Sequence, residues 1–306
     1  MNKQELVQQI AKLKGQGIGS RKIAKELGIS KSTVNSYFKE YLENSSVEVK
    51  KPKILLLDIE NAASEALVFG RFNQNLSQDH ILTEGGWILT YAYKWLGEKE
   101  VYSSVIEPEE AIIQDDSRLV TEMWELMEQA DFVVAHNSYG HDIPLLKARV
   151  IINGLPPVRK NRIIDSLSIA REFKFNSKKL DSLCHALGIG RKIGNSGIKL
   201  WKNCQAGRVE AIEEMRAYNV GDVWLLEELY LLIRPYSNKH PNIAAYYQGD
   251  KLRCNICCSE DVTPTGNTIL TNVNAFEEYV CNECQARFKH PKSLMNKESR
   301  SNILRN

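Results

Sequence analysis

Two carboxylates, Asp58 and Glu60, close the apolar run Ile54-Leu55-Leu56-Leu57. On a strand alternate side chains share a face, so this pair stands roughly 7 Å apart, close enough to hold a metal ion between them. Acids on a greasy strand are costly to bury unpaired, and a bound cation offsets that cost; the plain alternative is an Asp that ends the strand and caps the next segment. A third acid, Asp142, comes after the apolar stretch Phe132-Val133-Val134-Ala135, with Asn137 and His141 between. It opens a helical pattern, where an Asp also serves as a cap. A fourth, Asp222, follows Tyr218 by four residues, so the two share one helix face, as polar residues of any amphipathic helix do. Gly221 beside it admits close approach of a neighbour. Near the C-terminus, Cys254-x-x-Cys257 and Cys281-x-x-Cys284 stand 23 residues apart. Two such pairs make a closed, structural four-thiolate zinc site. Cys258 is a spare thiol that could compete as a ligand, and Cys184 and Cys204 read as small buried apolar residues.

The elements that must position these groups fall into three segments. Residues 1–44 are helical in pattern, with Leu6, Ile10 and Leu13 at helical spacing before Gly15-x-Gly17-x-Gly19 breaks the run. A polar linker covers 45–53. The body, 54–248, begins with strands at 54–60, 86–96 and 101–106. A helix near 116–130 and a strand at 131–136 follow, then a helix at 142–153 and a strand at 162–165, then helices near 167–173, 178–187 and 208–233. That order predicts an α/β fold with a mixed sheet flanked by helices. Residues 249–292 are too few for a self-sufficient core without a metal staple, and a polar tail covers 293–306.

Composition narrows the class. With 306 residues, 43% hydrophobic and 25% charged, the chain is an ordinary globular one of two domains or more. There is no 20-to-50-residue repeat, no apolar run of 18 residues and no secretory h-region, so the simplest location is cytoplasmic, with no membrane contact. Net charge is uneven: +6 over residues 1–53, −6 over 54–250 and +2 over 251–306. A basic head suits a polyanion, and an acidic body suits metal binding.

Ser20 to Phe38 resembles a helix-turn-helix of the resolvase-like and response-regulator-like kind, which suggests a bacterial or phage origin. Ile23 and Leu27 face inward, Gly28 supplies the turn, Ser30 caps the next helix, and Val34, Phe38 and Tyr41 continue its buried stripe. Lys31, Ser32, Asn35 and Ser36 then face outward, toward the major groove of DNA. One head offers few phosphate contacts, so binding would be weak unless the protein forms a homodimer. A small protein-contact domain is the alternative. The residues specify no replication or repair partner.

The body carries a more specific resemblance. Asp58-x-Glu60, Asn137-x-x-x-His141-Asp142 and Tyr218-x-x-x-Asp222, in this order, resemble the three motifs of the DEDD-type 3′–5′ exonucleases of ribonuclease H-like fold. Tyr218 marks the DEDDy branch, to which the proofreading domains of family B DNA polymerases belong; Lys179 to Ile189 is also similar to that branch. The resemblance covers about 54–235. It implies a ribonuclease H-like fold and two-metal hydrolysis of terminal phosphodiesters in nucleic acid, with DNA the first expectation. Asp58, Glu60 and Asp222 would hold one Mg²⁺ or Mn²⁺, Asp58 and Asp142 the other, and Tyr218 would position the attacking water. Asn137 would contact the nucleic acid. The histidine branch carries its base where this chain has Ala217. The family has an aromatic residue where this chain has His141, whose flat ring could fill the same space. Asp165 reads as a cap of the following helix. The cysteine segment, with Thr263–Glu278 as a hairpin, resembles a zinc ribbon. Two further classes remain: a transposase or integrase of related fold, and a DNA-binding regulator with an inactive nuclease-like body.

Overall fold

A computed structural model of the chain describes residues 2–15, 18–44, 52–70, 72–247 and 251–303. Most of the linker, Gly17 and the last three residues lie outside that set. The described residues form two compact units, one centred on residues 2–44 and the other on 52–245 with 251–303.

In the first unit, α1 (Lys3–Gly15), α2 (Ser20–Leu27) and α3 (Lys31–Asn44) close on Ile10, Ile23 and Val34, all fully buried. Gly28 ends α2 in the left-handed region (φ 64°), and its N–H reaches the Ala24 carbonyl. The Ser30 hydroxyl accepts the Thr33 N–H at 3.0 Å. Tyr41 departs from expectation. It is 37% exposed and stacks on Phe38, while Tyr37, one turn earlier on α3, packs against the buried cluster in its place.

The second unit starts with β1 (Ile54–Asn61), the short pair β2 (Glu65–Ala66) and β3 (Ile81–Thr83), then β4 (Ile88–Trp95) and β5 (Tyr102–Val105). After α4 (Pro108–Ile113) and α5 (Ser117–Gln129) come β6 (Phe132–Ala135), α6 (Asp142–Ile152), β7 (Arg162–Asp165), α7 (Ser166–Ala170), α8 (Leu180–Ala186), α9 (Ile198–Gln205) and α10 (Val209–Ile233). The sheet order is β5-β4-β1-β6-β7, with β1 antiparallel to β4 and parallel to β6. The mixed, helix-flanked sheet matches expectation. Helices α4 and α9 and the β2–β3 pair were not anticipated.

The central strand β1 sorts its side chains by alternation. Leu55, Leu57 and Ile59 face a core shared with Leu119, Met123, Ile143, Leu146 and Val150 of α5 and α6. Ile54, Leu56, Asp58 and Glu60 face the other way, where α10 lies. The cross-strand pairs Glu60↔Thr90 and Leu56↔Lys94 mark the track of that helix. Asn219 of α10 meets Thr90, and Glu227 holds Lys94 at 2.5 Å in a buried ion pair. Eight helical residues rise about 12 Å and the four strand residues from Thr90 to Lys94 span about 13 Å, so helix and strand keep register over both contacts. The opposite layer is pinned by Asp116, which is fully buried and accepts two hydrogen bonds from the Arg149 guanidinium at 2.7 and 2.6 Å and one from the Ile88 N–H.

Beyond α10, β8 (Val262–Leu270), β9 (Ala275–Cys281) and β10 (Arg287–Lys289) form an antiparallel sheet in the order β10-β9-β8. Residues expected as a polar tail include α11 (Lys297–Ser301) and are tied to the hairpin through Leu294 N–H to the Ala275 carbonyl and the Ser293 hydroxyl to the same oxygen. Among the described residues no helix is long and apolar enough to cross a membrane.

Candidate functional site

Strand β6 pairs with β1 only as far as Leu56↔Val134, so the carboxyl half of β1 is open on its parallel side. Asp58 and Glu60 sit there, and α10 brings Asp222 over them. One carboxylate oxygen from each of Asp58, Glu60 and Asp222 lies within 4.8 Å of the others. Asp142 is buried at the start of α6 and stands outside that mutual set; its charge is nonetheless the strongest of the three carboxylates acting on Asp58. All four sequence-predicted acids therefore converge, three of them within reach of a single ion.

The cluster is electrostatically loaded. Burial, then the charges of Asp142, Glu60 and Asp222, push the Asp58 carboxyl well above the usual carboxylate range, against the pull of Lys192. Glu60 is raised to about 7 by burial and by Asp222. Burial lifts Asp142 to about 6, opposed by His141 and by hydrogen bonds from the N–H groups of Asp142 itself and Ile59. Burial also raises Asp222, with Lys192 opposing. Crowded like charges of this kind are what a divalent cation relieves.

Two residues at the site were not singled out from sequence. Lys192, in the loop before α9, donates to Asp222 Oδ2 at 2.5 Å and to the Tyr218 hydroxyl at 3.0 Å. Burial works against its charge, but Asp222 and Tyr218 more than compensate and hold it above the usual lysine range. Asn219, fully buried, donates to Asp58 Oδ2 at 2.6 Å and so fixes the rotamer of that acid. Gly221 lets α10 approach the loop closely: a Cβ there would meet the end of the Ile193 side chain at 2.9 Å, so Ile193, which adjoins Lys192, would have to shift.

The turn between β6 and α6 forms the opposite wall. Asn137 takes a left-handed backbone (φ 70°), its N–H donates to Asp165 at 2.8 Å, and its carboxamide lies where a Gly140 Cβ would fall, 2.6 Å away. Asp165 caps α7 as expected, accepting the Leu167 N–H, while also holding this turn. His136 bonds Ser166 at 2.9 Å and the Lys178 carbonyl at 2.9 Å, and burial lowers its pKa. A cavity of about 710 Å³ opens on Asp58, lined also by Asn137, Lys178, Lys179 and Lys192. His141 corrects an expectation. It is exposed rather than packed as an aromatic substitute, and it acts on Asp142 through its charge, while the Ile59 N–H bonds that carboxylate.

Residues 85–234 match the RNase H superfamily. The body is an RNase H-like domain. The match takes in Asp142, Tyr218 and Asp222 and begins beyond Asp58 and Glu60, which stand on the central strand of the same sheet. No curated protein matches the chain. Among solved structures, the chain is similar to the family B DNA polymerase from the hyperthermophilic archaeon Pyrobaculum calidifontis, at 16% identity and a TM-score of 0.43, over 61% of this chain and 26% of the polymerase. The chain thus spans about a quarter of that polymerase's length. An RNase H-like domain with a carboxylate cluster supports a nuclease, a hydrolase that acts on nucleic acid through divalent metal ions.

C-terminal to the RNase H-like domain, the sulfurs of Cys254, Cys257, Cys281 and Cys284 lie within 4.8 Å of one another, a set compatible with a zinc ribbon. Hydrogen bonds from the Cys257 and Cys284 thiols hold Cys254 down at about 3, and the same sharing pushes Cys284 up. The two knuckles repeat one backbone pattern. Cys254 N–H reaches the Ser259 carbonyl and Cys258 N–H the Cys254 carbonyl; Cys281 N–H reaches Ala286 and Gln285 N–H reaches Cys281, all at 2.9 Å. Cys258 (φ 68°) and Gln285 (φ 64°) are therefore equivalent left-handed positions just past each knuckle. Cys258 is corrected from a competing ligand to a buried turn residue, its thiol pushed up to about 12 by burial. Cys184 and Cys204 are buried, as expected. In the head, Lys31, Ser32, Asn35 and Ser36 are all exposed on α3; Asn35 accepts the Ser20 hydroxyl at 2.8 Å, and Ser32 pairs with Ser30.

Proposed function

We propose that the RNase H-like domain is a metal-dependent 3′–5′ exonuclease, with DNA as the first substrate to test. The observation that carries this is the meeting of Asp58, Glu60 and Asp222 from a strand and a distant helix, with Asp142 acting on the same point from a second helix. The donor set fits hard cations: all oxygens, crowded, and with Asp222 Oδ1 buried and without a hydrogen-bond partner while Oδ2 is engaged. Asp58, Glu60 and Asp222 would hold one Mg²⁺ or Mn²⁺ and Asp58 with Asp142 the other; bound there, such ions supply a more acidic water and neutralise charge on the phosphodiester.

The chain's own residues do the rest. Asn219 keeps the Asp58 carboxylate aimed at the cluster. Tyr218 presents its hydroxyl beside Asp222, where it can hold an attacking water, and Lys192 fixes that hydroxyl while adding a cation to the cavity wall. Asn137 lines the same cavity, in position to contact the terminal nucleotide. Glu60 sharing the site with Asp58 favours hydrolysis over strand transfer, and the retention of all four acids favours an enzyme over an inactive regulator. For the remaining segments, the four clustered thiols support one structural Zn²⁺, and the exposed polar row on α3 supports DNA binding by the head.

Strands labelled at either end, of DNA and of RNA, incubated with Mg²⁺ or Mn²⁺, test the proposal. Stepwise shortening from the 3′ end by the wild type, lost in Asp58→Ala, is the expected result. Shortening from the 5′ end, joined products, or equal digestion by Asp58→Ala would refute it.

A further inference from the structure

A second cavity, about 530 Å³, lies on the outer edge of the sheet, beyond β7. Its rim carries Lys147 of α6, Lys160 and Arg162 at the start of β7, and Lys239 from the segment after α10, together with the ring of Tyr139. All four cations are exposed; Lys239 acts on the Glu172 carboxylate, which is itself bonded to Ser237 and Asn238. The acids nearest in the chain are already engaged: Arg159 takes Asp131 at 3.0 Å and bonds to Glu128, and Asp165 holds Asn137 and caps α7. His240, in the smaller adjoining cavity, is held neutral by burial, its pKa lowered to about 4. Four exposed cations from three separate segments around one depression, in a domain of net negative charge, make a site for a polyanion.

Tyr139 says which polyanion. Its ring is 60% exposed and is held in place by a hydrogen bond from its hydroxyl to the Ile163 carbonyl at 3.3 Å. A fixed, exposed ring amid backbone-tracking cations is the arrangement that binds single-stranded nucleic acid, bases stacking while phosphates take the charges. Tyr139 also belongs to the turn that carries Asn137 and Asp142, so one face of this turn borders the acid cavity and the other borders the basic one. We infer that the groove rimmed by Lys147, Lys160, Arg162 and Lys239, with Tyr139 as a stacking platform, is a track for the single strand on its way to the acid site. This rests on the exonuclease reading, which it extends from the cut bond to the strand upstream of it.

The test uses the full chain in two assays. Fluorescence anisotropy with a labelled oligothymidylate, titrated over a range of salt without Mg²⁺, reads the track. Hydrolysis of the p-nitrophenyl ester of thymidine 5′-monophosphate with Mn²⁺, which offers one phosphodiester and no upstream strand, reads the acid site. The variant K147Q/K160Q/R162Q/K239Q should bind the strand about tenfold more weakly or worse, with a log–log salt slope flatter by about 0.7 for each phosphate no longer neutralised, while ester hydrolysis stays at the wild-type rate. Tyr139→Ala should weaken binding with the salt slope unchanged, since stacking releases no counterions. Unaltered affinity and slope in the neutral variant overturn the track. A wild type that leaves the ester intact overturns the exonuclease reading, and the anisotropy result still decides the track. Should the neutral variant lose both activities, the charge-conserving K147R/K160R/R162K/K239R decides: restored binding upholds the track, and continued loss overturns it.

Discussion

The two clusters of side chains that could hold a metal ion are built in opposite ways. The cysteine quartet comes from a stretch of about 31 residues with a core of little more than Ile256, Ala286 and the thiols themselves. The carboxylate cluster draws on residues 58 to 222, brought together by a five-stranded sheet and a 25-residue helix that are stable for other reasons. In the first, a bound ion would hold the fold together. In the second, the fold would hold the ion, and without one the crowded carboxylates are a burden the core must carry.

Perturbing each side sharpens that contrast. The largest effect belongs to the quartet. Cys281→Ser, or zinc chelation, should unfold the C-terminal sheet, since structural zinc supplies on the order of 10 kcal/mol to such modules. Proteolysis should then cut within residues 251–303 and spare the RNase H-like domain. Next is the ion pair that sets the register of α10. Glu227→Ala leaves Lys94 charged and buried, and should cost about 3–5 kcal/mol in urea unfolding of the domain, with a fall in activity as Asp222 loses its seat.

Smaller, and opposite in sign, is the effect of removing a ligand carboxylate. Glu60→Gln should stabilise the Mg²⁺-free protein at pH 8 by about 2 kcal/mol while nuclease activity drops by two orders of magnitude or so, because Glu60 ionises in the folded state only near pH 7 against the usual 4.5. The same shift predicts a pH profile. Asp58, Glu60 and Asp142 all have folded-state pKa values raised above their unfolded ones, so the folded chain binds more protons between about pH 4 and 7. Their contribution is fully present below pH 4 and is lost as pH rises toward 7. The melting temperature of zinc-loaded, Mg²⁺-free protein should carry that downward component from pH 5 to 8, and added Mg²⁺ should flatten it.

How much of this could be read in the chain follows from the range of the interactions. Asp58-x-Glu60 on an apolar strand and the paired cysteines are local patterns, and both reached their expected places. Lys192 was invisible because its partners are 26 and 30 positions away and its loop has no periodicity. Asn219 was within reach: it lies three residues before Asp222 and shares its helix face, but an Asn that orients a carboxylate looks like any polar helix residue. Cys258 needed the comparison of two knuckles, since only the backbone shows that it occupies the same left-handed position as Gln285. Tyr41 was read as buried from its place on the α3 stripe, and His141 as a ring that could fill an aromatic's space, yet a ring with a polar edge is as readily carried at the surface, and both are exposed.

Titration of Mn²⁺ into the zinc-loaded chain, followed by electron paramagnetic resonance of the free ion, tests the carboxylate cluster most directly. Saturable binding by the wild type, abolished in Asp58→Asn and weakened in Asp222→Asn with the cysteine module intact, is the predicted result. Wild-type protein that leaves all Mn²⁺ free, or an Asp58→Asn variant that binds it equally well, would contradict a metal-dependent site at these acids.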